Sequence, residues 1–112
     1  MSGPTWIAST DVVFVTTEGT RVPGCVRVSL PEATLEREAR CWYNLEPLEK
    51  PCAIHGVDNL QALLLALRAC GAQLALFERR GGRIEYPPDA DGNHGEPWEP
   101  SVVFGEFVRL PA

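Results

Sequence analysis

A chain of 112 residues has room for one core of ordinary size and not for two. Hydrophobic residues make up 45% of it and charged residues 22%, near the globular averages, which excludes a disordered chain. The formal net charge of −5 argues against binding to phosphate backbones, which depends on Lys and Arg displacing counterions; a basic protein is the better-matched partner, and nucleic acid is not expected.

The opening "MSGPTWIAST" lacks a basic run followed by an apolar core and a cleavage site, so no secretory signal is expected. No segment reads as the roughly 20 apolar residues that span a bilayer. The longest apolar run, Leu60 to Leu67, is broken by Gln61 and closed by Arg68. The expectation is a cytoplasmic protein with no membrane contact. Cys25, Cys41, Cys52 and Cys70 then read as reduced, small hydrophobic residues, and no pair has the C-x-x-C spacing of a zinc site, so neither metal nor cofactor is expected.

The β-branched run Val12 to Thr17 ends at a Glu18-Gly19 turn signal and predicts a strand. Val22, Val26, Val28 and Leu30 alternate with Arg27 and Ser29, predicting a second strand with one buried face, paired with the first as a hairpin. Pro23-Gly24 inside it calls for a bulge or an edge position, because proline cannot donate to a ladder. "PEATLEREAR" is a charged connector with the makings of a helical turn. A third strand is predicted over Arg40 to Leu48, with Cys41, Tyr43 and Leu45 on one face and Trp42 and Asn44 on the other. Pro47 and Pro51 bracket a loop, and "CAIHG" is a short fourth strand ending at Gly56.

Asp58 is a good helix N-cap, Gln61 is its capping-box partner and Val57 stands where a hydrophobic staple would. Leu60, Leu63, Leu64, Leu67, Cys70 or Gly71, and Leu74 recur at helical spacing as the core face, while Gln61 and Arg68 mark a narrow wet stripe and Leu65 lies close to it. The helix is expected to run to about Arg80, because a mid-helix Gly71 costs only about 1 kcal/mol relative to Ala. Gly81-Gly82 turns the chain into a strand over "RIEYP", with Ile84 and Tyr86 on one face. Residues 88–100 are loop by composition, and residues 101–112 close the chain as a strand or an extended arm. The fold expected for this single domain, 1–112, is α+β: an antiparallel sheet of about five or six strands with one long helix packed across it.

The stretch "HGVDNLQALLLAL", preceded by extended segments and followed by "GRIEY", resembles a bacterial family of domains of unknown function, about a hundred residues long, with a His-Gly-Val-Asp, Leu-Gln-Ala-Leu motif. The resemblance runs from about Ile7 to Tyr86 and is specific over His55 to Leu67. It implies a small α+β domain with one principal helix, and it implies no activity.

No catalytic set converges. His55 at the strand-to-helix junction is a candidate base or ligand, because imidazole is the side-chain type used for proton transfer and ligation, yet such a residue more often orders its junction through a hydrogen bond. Cys52 and His55 are three apart in a strand and so face opposite ways. Asp89, Asp91 and Asn93 imitate a calcium loop, but His94 occupies the place of the sharp-turn glycine and Pro100 that of the final glutamate. Arg79 and Arg80, with Arg83, flank the Gly-Gly turn, where an anion would sit, although a helix C-terminus also favours positive charge without any ligand. Trp6, Trp42 and Trp98 stand out as a set, and Trp42 is on the face opposite Cys41, Tyr43 and Leu45, where it either serves recognition or is covered by the helix or the C-terminal arm. The binding candidates are therefore Trp42, Trp98, His55, Asp58, Arg79 and Arg80. The function expected is that of a non-enzymatic protein-binding domain, such as an acidic immunity or antitoxin-like protein that neutralises a basic toxin or effector. The alternative is a small ligand-binding or enzymatic domain centred on His55. A homodimer through helix 58–80 would cover that helix's second apolar flank.

Overall fold

The structure, a computed structural model, describes residues 4–105. Its elements in chain order are β1 (Trp6–Val15), β2 (Arg21–Ser29), β3 (Glu32–Ala33), β4 (Ala39–Glu46), β5 (Cys52–Gly56), α1 (Asn59–Arg79), β6 (Arg83–Glu85) and α2 (Pro100–Phe104). The six strands form one antiparallel sheet with α1 packed against it, an α+β arrangement.

β1 and β2 pair as a hairpin from Trp6↔Ser29 to Val15↔Arg21, with an irregularity between Trp6 and Ala8. The turn is closed by the Thr16 N–H donating to the Thr20 carbonyl at 2.9 Å and by Gly19 at φ 84°. β4 carries β5 along one side and both β2 and β3 along the other, since Tyr43 pairs with Val28 and Cys52 while Arg40 pairs with Glu32 and His55. The connector read as a helical turn is thus the short strand β3 and a turn, held by Arg40 Nε donating to Glu32 Oε1 at 2.6 Å. Pro23 is tolerated inside β2 because β4 ends opposite Cys25, at Glu46, leaving Pro23 without a neighbour on that side.

Register divides the side chains between two faces. Val12, Phe14, Val26, Tyr43, Leu45 and Ile84 turn toward α1 and form the main core with Cys70, Leu74 and Trp98. Arg27, Arg40, Trp42, Asn44 and His55 occupy the other face.

Asp58 caps α1, its carboxylate accepting the Gln61 N–H at 2.8 Å, and Gln61 Oε1 accepts the Val57 N–H at 2.7 Å. The box therefore closes one residue earlier than its usual form. The expected staple is not made: Val57 is 73% exposed, because the position it would meet, Ala62, is already pressed onto Gly56. At the far end the Gly82 N–H donates to the Phe77 carbonyl and the Gly81 N–H to the Glu78 carbonyl, a Schellman closure with Gly81 at φ 99°. Gly71 lies inside the helix, as expected, and is buried.

The core stripe of α1 differs from the leucine stripe expected. Ala62, Ala66, Cys70, Gly71 and Leu74 are its buried residues, whereas Leu60 is 66% and Leu64 42% exposed. Small side chains let the helix axis approach β4 and β5 closely, and the leucines then flank the contact. By length and composition α1 is long and apolar enough to cross a membrane, since Gln61 and Arg68 are outweighed by the Leu and Ala around them; a core helix passes the same test.

Residues 101–104, expected in a strand or arm, form with Pro100, expected in the loop, the short helix α2, with Pro100 in its first turn. The remainder of that expectation, from 106 onward, lies outside the described residues.

Candidate functional site

The face of the sheet that α1 leaves uncovered is built from two repeated units. On the first, the Arg27 guanidinium lies 4.4 Å from the Trp6 ring centroid and donates to Glu46 Oε2 at 3.1 Å. On the second, the Arg40 guanidinium lies 5.6 Å from the Trp42 ring centroid and holds Glu32. An aromatic ring, a guanidinium and a carboxylate thus stand in sequence twice, each cation held from both sides. The hydrogen bond from Arg40 keeps the Glu32 carboxyl below its ordinary value. Trp42 is half-buried, and its N–H of the main chain donates to the Ser29 hydroxyl at 2.8 Å. In the register pair Arg27↔Asn44, Arg27 Nε and Asn44 Oδ1 are buried without a partner among the described residues.

His55 shares this face, its Nδ1 2.9 Å from Glu38 Oε1, with both side chains part-exposed. Cys52 points the other way, toward Tyr43 and Cys70, so no Cys52–His55 pair forms. Asp58 is engaged in the helix cap, and Arg79 and Arg80 are exposed at the C-terminal end of α1, away from His55 along the length of the helix. Trp98, named among the binding candidates, is instead a core residue: it is 3% exposed and packs edge-to-face with Phe104, ring centroids 6.4 Å apart, its main-chain N–H tied to the Ile84 carbonyl alongside β6. The six candidates are thus not one site. Trp42 and His55 share a face, and the others serve the cap, the helix end and the core.

The two buried thiols, Cys41 and Cys70, offer little reactivity. Burial, with Glu49 nearby, pushes the Cys70 thiol up to about 12, and burial raises Cys41 too. Tyr43 is likewise raised, chiefly by burial. Among the described residues no group of His, Cys, Asp or Glu is placed to hold a metal ion.

Charge is unevenly placed, which composition alone hides. Residues 1–83 hold nine basic and nine acidic side chains, and residues 106–112 one of each; residues 84–105 hold five acidic side chains and no Lys or Arg, so the entire net charge of −5 resides there. Glu85 is buried and held by Arg21 at 3.1 Å, leaving Asp89, Asp91, Glu96 and Glu99 exposed. Asp89 accepts from the main-chain N–H groups of Asp91 and Asn93, both at 2.9 Å, and these bonds hold its carboxyl below its ordinary value. Pro87, Pro88 and His94 of this loop line a hollow with Asp11, Val13 and Pro23, which places the acidic loop beside β1 and β2.

The fold defines a small α+β domain, an antiparallel sheet with one long helix packed against it. The chain belongs to the family described as a domain of unknown function (DUF6968), whose model matches residues 12–98. No curated protein and no solved structure matches it.

Proposed function

We propose that this chain is a non-enzymatic protein-binding domain that recognises a basic partner through the helix-free face of its sheet and the acidic loop beside it. The observation that carries the reading is the pair of Trp–Arg–Glu units on an uncovered sheet face, bordered by the segment that holds all the net charge. Aromatic and arginine side chains dominate the energetics of protein interfaces, and a concentrated negative patch speeds capture of a positive target. An immunity or antitoxin-like role against a basic toxin or effector, in the bacterial cytoplasm, is the specific form of this proposal. The near-exclusive use of Arg over Lys and the His-Gly-Val-Asp motif accord with a bacterial source.

The test is affinity purification of the tagged chain from its own cells, with mass spectrometry, beside a Trp42→Ala variant. A stoichiometric basic protein recovered by the native chain and lost by the variant supports the proposal. Equal recovery by both removes the helix-free face from it.

A second reading is favoured by the exposure of Leu60 and Leu64: a homodimer through helix 58–80 that covers this flank. The alternative centred on His55 has weaker support, since His55 is paired with Glu38 and Asp58 is committed to the cap.

A further inference from the structure

β6 covers only part of the outer side of β1, pairing with Val13, Phe14 and Val15. Among the described residues, Trp6 to Val12 have no strand on that side. The hydrogen bonds beyond β6 show which groups face the gap. The Ile84 carbonyl accepts from Trp98 and the Tyr86 N–H donates to Glu96, so these main-chain groups point away from β1, and those of Arg83 and Glu85 point toward it. Val13 and Val15 are therefore the residues bonded to β6. With a period of two, Ser9 and Asp11 direct their N–H and C=O groups to the same side, where no strand among the described residues receives them; both residues are exposed. The irregularity between Trp6 and Ala8 ends this regular edge.

On the helix side of the edge lies an apolar cavity of about 340 Å³, walled by Thr10, Val28, Leu67, Cys70, Trp98 and Phe104. An edge strand with a side-chain pocket next to it is the arrangement by which extended peptides add to a sheet: main-chain bonds give affinity, and pockets for alternate side chains give specificity. Arg27 at the cavity and Arg21 at the hollow beside the edge are each held by a carboxylate, Glu46 and Glu85, and the charge left over beside the edge is acidic. Asp11 stands on the edge, and the acidic loop borders Asp11 through His94 and the two prolines.

We propose that the Ser9–Asp11 edge of β1 is a strand-addition site for an extended segment of a basic partner protein, with one apolar side chain seated in the cavity and Arg or Lys beside Asp11 and the acidic loop. It rests on the protein-binding reading and states how the partner's main chain is held.

The probe is a terminally blocked nonapeptide in which arginine alternates with valine and leucine, added to the full-length chain, with amide hydrogen exchange and calorimetry as readouts. Exchange at Ser9 and Asp11 is expected to slow at least about ten-fold, the sensitivity expected when an exposed edge amide gains a partner. Ser9→Pro removes an edge N–H that β2 does not use, and Thr10→Phe fills the cavity. Each is expected to weaken peptide binding at least about ten-fold, the equivalent of one lost contact of about 1.4 kcal/mol, with an unfolding midpoint close to that of the native chain. No peptide binding, or binding without slowed exchange at Ser9 and Asp11, overturns the proposal. If the partner from the purification above is lost by Trp42→Ala but captured undiminished by Ser9→Pro and Thr10→Phe, the edge is overturned while the helix-free face stands. If the two amides are already protected in the free chain and Val108→Pro releases them, the chain's own last residues are the occupant and the proposal is overturned.

Discussion

The main chain of Ala62 sits against Gly56 so closely that a Cβ on Gly56 would stand 2.6 Å from the Ala62 nitrogen. This contact explains why the helix opens with His-Gly: the last residue of β5 must have no side chain for the first turn of α1 to descend onto the sheet. Gly56→Ala is expected to destabilise the fold by about 1–3 kcal/mol through overpacking, read as a lower midpoint in urea with an unchanged slope.

The two sides of the helix entry should respond differently. Asp58→Ala removes the carboxylate that receives the Gln61 N–H and is expected to cost about 1 kcal/mol. Val57→Ser, at an exposed position with no staple, is expected to stay within about 0.5 kcal/mol of the native chain. Thermal unfolding of the two variants side by side measures the difference.

Alkylation should separate the four thiols into two classes. Cys25 and Cys52 are half-buried and are expected to react first with iodoacetamide at pH 8, while Cys41 and Cys70, buried and raised, react only after denaturant is added. Peptide mapping at timed intervals gives the order.

Acid should loosen the loop through Asp89. Its carboxyl is held below the ordinary value of 3.8, so the folded state binds the proton more weakly than the unfolded chain does. The stabilisation from Asp89 is therefore fully present above that value and is lost as pH falls through the lower folded value. Asp89→Asn is expected to flatten the acid limb of the stability curve below about pH 4, measured by urea unfolding at stepped pH.

The exposed flank of α1 has its own test. Sedimentation of the native chain and of Leu64→Lys is expected to show a dimer lost on substitution if helix 58–80 is a self-association surface; a monomer in both removes that second reading.

Much of the fold was legible because local rules and tertiary demands agree where they coincide. The alternation through Cys41, Tyr43 and Leu45 placed Trp42 on the opposite face, and the Asp58 and Gly81 signals bounded the helix. The stripe of α1 was misread because hydropathy ranks Leu above Ala, whereas closeness to β4 and β5 selects small side chains such as Ala62 and Ala66. β3 was missed since two residues paired with Ala39 and Arg40 carry no period of their own. Of the candidate surface, Trp42 was found from alternation. Its partners Arg40 and Glu32, and the matching set of Trp6, Arg27 and Glu46, come together only through strand pairing across the sheet. A running tally of charge along the chain would have revealed the acidic segment 84–105; a single total of −5 concealed it.

The most direct measurement is capture of a partner by the tagged native chain and by a variant with Asp89→Asn, Asp91→Asn, Glu96→Gln and Glu99→Gln together, at low and moderate salt. Recovery of a stoichiometric basic protein by the native chain, weakened by salt and lost in the variant, is the predicted result. Recovery of nothing but the chain itself at low salt would contradict it.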